Sequence, residues 1–138
     1  MNTGRIGLGS AGVTNTAALA FGGNPNTDAT EKWDGTCWTT VNPLNSARQY
    51  FAGAGTSTAA LAFGGTPGAS ALTEKYDGTS WTEVSDLATA IFELGGVGVS
   101  SSSAIAFGGA TGPGPSGASN LAEAWNDPVY TIKTVTVS

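Results

Sequence analysis

Two carboxylate positions recur along this chain, and they are the first places to look for chemistry. Glu31, Glu74 and Glu123 share one position, and Asp34 and Asp77 share another. Equivalent acids set around an axis could hold a cation, because Ca²⁺ takes six to eight oxygens. Two acids flanking a cleft could cleave a glycoside, but nothing in the sequence singles out such a pair. The plainer role is structural: Asp34 and Asp77 satisfy their own turns, and the glutamates make rim ion pairs with Arg5, Arg48 or Lys75. The chain has no His, which removes Ser-His-Asp and Cys-His pairs, His-ligated zinc and imidazole bases. Cys37 is the single cysteine, so neither an intramolecular disulfide nor a cysteine-only metal cluster can form. Ser80 and Val129 stand where Cys37 does in the other units, the pattern of a small packing position. No catalytic, cofactor-binding or metal-binding residue is assigned, and the chain reads as a non-enzyme.

Composition narrows the partners. Charged residues make up 11% of the 138 residues and the net charge is −5, against roughly 25% charged in an average domain. There is no Lys/Arg cluster of the kind a nucleic-acid footprint needs. The first residues carry no long apolar stretch, so no signal peptide is expected. No run approaches the ~18–20 apolar residues of a membrane-spanning helix. These features lead to the expectation of a virion or cytoplasmic location without membrane insertion.

Repeats organise the elements that would position these residues. Thr16-Ala17-Ala18-Leu19-Ala20-Phe21-Gly22-Gly23 recurs unchanged from Thr58 to Gly65, and returns as Ser103-Ala104-Ile105-Ala106-Phe107-Gly108-Gly109. Phe21, Phe63 and Phe107 are 42 and 44 residues apart. Each copy is preceded by a Gly-rich run and followed by two aromatics five residues apart: Trp33 and Trp38, Tyr76 and Trp81, Trp125 and Tyr130. One domain of three units follows, about 1–44, 45–87 and 88–138.

Each unit reads as four short strands, with no sustained helical period anywhere. The first is the Gly-rich run, around 5–13, 48–56 and 91–99. The second is Ala-Leu-Ala-Phe. The third ends at the first aromatic and the fourth begins at the second, the last being Tyr130 through Ser138. Asp34-Gly35 and Asp77-Gly78 suit type I′ turns between them. In the second strand Leu19 and Phe21 face one way and Ala18 and Ala20 the other. Both faces are apolar, so both must be covered, large side against small. Four-stranded units repeated at this period and stacked in series predict an all-β fold of β-propeller blades.

A Gly-Gly pair closing the second strand, an aromatic ending the third and a Trp opening the fourth resemble the kelch motif. The matching residues are Gly22-Gly23, Trp33 and Trp38; Gly64-Gly65, Tyr76 and Trp81; and Gly108-Gly109, Trp125 and Tyr130. The third unit departs from the others, with Asp127-Pro128 in place of Asp-Gly. The compact strings also look like repeats of bacteriophage structural and tail-associated proteins. The kelch resemblance implies structural glycines and aromatics that pack between blades. It does not carry over the copper chemistry of galactose oxidase, whose site needs His ligands.

Three blades make an arc, whereas closed propellers have 4–8. The expectation is a homodimer forming one six-bladed propeller, with itself as partner and virion proteins or glycans as further partners. The expected function is structural or assembly, as a component of a phage particle. A carbohydrate-binding adhesion module and an intracellular protein-interaction scaffold are the alternatives. The charge-free loop Ala110–Asn120, which lengthens the third unit, is either a binding or assembly contact or an inert spacer.

Overall fold

The computed structural model describes residues 1–113, 117–126 and 133–135, the last as backbone only. Twelve strands form three four-stranded antiparallel sheets, and no α-helix occurs among the described residues. Sheet 1 contains β1 (Gly9–Thr14), β2 (Ala17–Phe21), β3 (Thr30–Trp33) and β4 (Trp38–Val41) in that order. Sheet 2 repeats it with β5 (Ala52–Thr56), β6 (Ala59–Phe63), β7 (Thr73–Tyr76) and β8 (Trp81–Val84). Sheet 3 follows with β9 (Gly95–Ser100), β10 (Ser103–Phe107), β11 (Ala122–Asn126) and β12 (Lys133–Val135). Of the expected fourth strand of unit three, only β12 falls within the described residues; Tyr130 and the Asp127-Pro128 turn lie outside them.

Two local expectations need correction. The first strands begin at Gly9, Ala52 and Gly95, four residues later than the Gly-rich runs suggest. The cause is a left-handed residue just upstream of each: Gly7, Tyr50 and Glu93, at φ +58°, +53° and +54°. That conformation breaks an extended strand and is strained for Tyr and Glu. It is held by a relay in which the Tyr50 N–H donates to the Gly7 carbonyl at 2.6 Å and the Glu93 N–H to the Tyr50 carbonyl at 2.7 Å. The second correction concerns the Asp-Gly pairs. Trp33 pairs with Trp38 and Tyr76 with Trp81, so each Asp-Gly opens a four-residue loop rather than forming a two-residue turn. The two-residue turns sit at Asn15-Thr16, Ser57-Thr58 and Ser101-Ser102, where Thr14 pairs with Ala17, Thr56 with Ala59 and Ser100 with Ser103.

The stacking follows from the alternation in the second strand. Leu19 and Phe21 of sheet 1 are buried with Ala60, Ala62, Tyr76 and Trp81 of sheet 2. Leu61 and Phe63 of sheet 2 are buried with Ala104, Ala106 and Trp125 of sheet 3. The Trp81 ring meets Phe21 at 4.8 Å between centroids, and its indole N–H donates to the Thr30 hydroxyl across the junction at 3.2 Å. Linker residues complete both junctions: Leu44 and Leu87 are buried, their amides donating to Asp28 and Ala71 carbonyls at 2.9 Å.

The Gly-rich strands lie innermost and pack against one another. A Cβ on Gly53 would strike the backbone of Ser10 and the Phe21 ring, so this approach demands glycine. Between them runs an open hollow of about 320 Å³ lined by Ser10, Gly12, Gly53, Gly55, Gly96 and Gly98 among others.

Phe63→Ala should destabilise the chain by roughly 3–5 kcal/mol, the cost of emptying a buried Phe site. Thr79→Ala, in an exposed loop where the backbone amide and carbonyl are used but the side chain is not, should cost well under ~1 kcal/mol. Urea melts of the two variants check this assignment of inside and outside.

Candidate functional site

The acids identified from the sequence are held by the fold in two distinct ways. Glu31 and Glu74 sit in the third strand of their sheets, 3% and 1% exposed. Each meets an arginine that enters from the segment preceding its own sheet: Arg5 to Glu31 at 2.7 Å and Arg48 to Glu74 at 2.8 Å. These are the ion pairs the sequence suggests, but they are interior rather than on the rim. Each guanidinium also donates to two carbonyls, Gly22 and Ala29 for Arg5, Gly64 and Leu72 for Arg48. The carboxylates accept backbone amides in turn, from Asn2 for Glu31 and from Asn45 and Ser46 for Glu74. Burial lowers the Arg48 pKa, while the Glu74 charge and hydrogen bond oppose that shift. A buried pair survives only when its remaining donors and acceptors are met in this way.

Sheet 3 departs from the pattern. Ile91 stands where Arg5 and Arg48 do, and among the described residues Glu123, 6% exposed, keeps only the amides of Ala88 and Thr89 at 2.7 and 3.2 Å. The missing guanidinium is replaced by apolar packing of Ile91 among Leu87, Leu94 and Ala106. The three glutamates therefore do not converge on an axis. No group of three or more His, Cys, Asp or Glu that could hold a metal occurs among the described residues.

Asp34 and Asp77 serve their loops as expected. Asp34 Oδ1 accepts the amides of Thr36 and Cys37 at 2.8 and 2.9 Å, and Asp77 Oδ1 those of Thr79 and Ser80, both at 2.8 Å. Those amide bonds hold both carboxyls below the ordinary Asp value. Gly35 and Gly78 supply the required φ of +97° and +98°. Cys37 is exposed, which corrects its reading as a packing position. Its thiol lies 3.6 Å from Asp34 Oδ2, as the Ser80 hydroxyl lies 3.4 Å from Asp77 Oδ2, so the site selects a short side chain facing the aspartate. Val129 lies outside the described residues.

The aromatic positions divide. Tyr76, Trp81 and Trp125 are buried between sheets, whereas Trp33 and Trp38 are half-buried, their rings 5.6 Å apart on the open face of sheet 1. On the opposite open face, Ile105 and Phe107 are 36% and 44% exposed, while their counterparts in sheets 1 and 2 are at most 1% exposed. This asymmetry is what an arc of three sheets implies, because the first and the last each lack a neighbour on one side. In the loop Ala110–Asn120, Ala110 bridges to Phe92 and Ala118, and the Thr111 amide donates to the Gly117 carbonyl.

No known protein-family model matches the chain, and no curated protein does.

Arg48→Ile, which copies sheet 3 into sheet 2, should cost about 3–5 kcal/mol, because it strands Glu74 in the interior. Chemical denaturation measures it. Asp34 and Asp77 have folded pKa values below their unfolded ones. Their contribution is therefore complete above the ordinary Asp value near 3.8 and is lost as pH falls below it. Carboxyl NMR titration should place both midpoints below the ordinary Asp value near 3.8.

Proposed function

We propose that this chain is a non-enzymatic structural protein that assembles with a second copy of itself into a six-bladed, kelch-like β-propeller. The observation that supports it is the pair of open faces. One presents Ile105 and Phe107 together with Val97 and Val99, 62% and 73% exposed. The other presents Ala18, Trp33 and Trp38, the counterparts of Ala60, Tyr76 and Trp81. These are the two halves of a junction that the chain already makes twice within itself. Contiguous apolar surface of this kind marks an association site.

Three further features continue across the same faces. Met1 occupies the position of Leu44 and Leu87 but is 44% exposed, and Asn2 binds Glu31 as Asn45 binds Glu74. The amide relay from Glu93 to Tyr50 to Gly7 would continue from Gly7 of one copy to Glu93 of the other. The innermost strands would then enclose the axial hollow. Two copies supply six blades, within the ordinary range, whereas three copies exceed it. A ring of this type, with the buried charges among the described residues committed to the fold and a low-charge Thr/Ser/Gly-rich exterior, suits a component of a virus particle such as that of a phage.

Light scattering after size exclusion should report about twice the 13.7 kDa chain mass. Phe107→Asp should give folded monomers, since Phe107 is part-exposed in the single chain, whereas Phe63→Asp should unfold it. A folded wild-type monomer at all concentrations contradicts the assembly. A chain mass raised only in the presence of additional repeats would assign the faces to further blades of a longer protein. Detection of the chain in purified particles tests the virion role.

A further inference from the structure

Two equivalent clefts open at the same place in sheets 1 and 2, between the segment entering each sheet and the loop joining its second and third strands. Their volumes are about 200 and 190 Å³. Pro25 and Thr27 line the first where Pro67 and Ser70 line the second, and Thr3 corresponds to Ser46. Arg5 and Arg48 contribute to the walls. We propose that these clefts are a repeated binding site for a neutral polyhydroxylated ligand, the terminal sugar of a glycan. This goes beyond the assembly reading and does not depend on it.

The electrostatics select the ligand class. Each arginine is neutralised by its glutamate, and each glutamate has both oxygens engaged by donors. The cleft therefore offers no net charge to an anion and no open carboxylate to a cation. It does offer donors. The Nε atoms of Arg5 and Arg48 are buried and have no hydrogen-bond partner, in both copies of the site. A buried N–H without an acceptor is rare enough to need an explanation; both atoms are occluded, so a ligand oxygen would reach them only after the cleft wall shifts. The hydroxyls of Thr3 and Ser46 make no hydrogen bond among the described residues and can both donate and accept. The rings of Pro25 and Pro67 add an apolar surface. Hydroxyl donors and acceptors beside a small apolar platform, without charge, match a pyranose ring.

Sheet 3 shows what happens when the site is not kept. Ile91 replaces the arginine, and the longer loop Ala110–Asn120 replaces the short Pro-containing one. The arrangement is thus present twice per chain. Two sites on one rigid body raise avidity for a surface carrying many copies of the same sugar.

The test is saturation-transfer NMR with the methyl glycosides of glucose, galactose, mannose and N-acetylglucosamine. Thr3 and Ala47 are exposed at the two cleft mouths, so Thr3→Tyr and Ala47→Tyr should each close one cleft without disturbing the fold. At least one glycoside should show saturable transfer to the wild type. That transfer should fall by roughly half in either single variant and vanish in the double variant, with unchanged thermal midpoints. Thr3→Ser and Ala47→Ser, as conservative controls, should bind like the wild type. No transfer from any of the four glycosides, or full transfer to the folded double variant, would overturn the proposal. If a tyrosine variant does not fold, chemical-shift changes on titrating the wild type decide it: they should fall on Thr3, Thr27, Ser46 and Ser70, and their absence there overturns the site.

Discussion

The structure depends on one packing relation: the large face of each sheet, Leu-x-Phe, closes on the small face, Ala-x-Ala, of the next. It sets the spacing between sheets, because Ala60 and Ala62 leave room for Leu19 and Phe21, and Ala104 and Ala106 leave room for Leu61 and Phe63. It places the outer aromatics, since Trp81 can reach Phe21 only when the small residues beside it let the sheets approach. It also explains the glycine content of the innermost strands, where curvature brings backbones too close for a Cβ at Gly53. A relation of this kind is directional, so any finite stack has one large face and one small face left over. The closure proposed for this chain follows from that arithmetic of faces.

The buried ion pairs have a supporting role. Arg5 and Arg48 each tie the segment entering a sheet to the Gly-Gly corner and the third strand of that sheet, through two carbonyls and one carboxylate. Their net contribution to stability is modest once desolvation is counted, but removing one partner is costly. Sheet 3 illustrates the other solution, in which the cation is exchanged for an aliphatic side chain and the carboxylate is left with two amides. Repeats thus provide an internal comparison, in which the same position has been solved in two chemical ways.

Much of the fold was legible because periodicity carries it. Leu19 and Phe21 against Ala18 and Ala20 identify a strand covered on both sides, and the recurrence of that string identifies three sheets in sequence. The edges of the first strands were not legible, because the left-handed conformation at Tyr50 and Glu93 is imposed by the amide relay and not by residue type. The Asp-Gly pairs were misleading for a related reason. An Asp side chain that caps two amides favours a longer loop than the two-residue turn its sequence suggests. The acids were legible as structural but not as buried, since burial of Glu31 and Glu74 depends on arginines that arrive from 26 residues upstream. The unequal exposure of Trp38 and Trp81, or of Phe107 and Phe63, follows from the count of three units rather than from residue type, because it depends on which neighbours are present.

The central claim is that the two open faces cover each other. Hydroxyl-radical footprinting across a dilution series reads both faces in one measurement. At concentrations where the mass is that of two chains, Trp33, Trp38, Ile105 and Phe107 should be protected, and dilution should expose all four together while Phe63 and Trp81 stay protected. Four residues that remain reactive while the mass is doubled, or that respond independently of one another, would contradict the account.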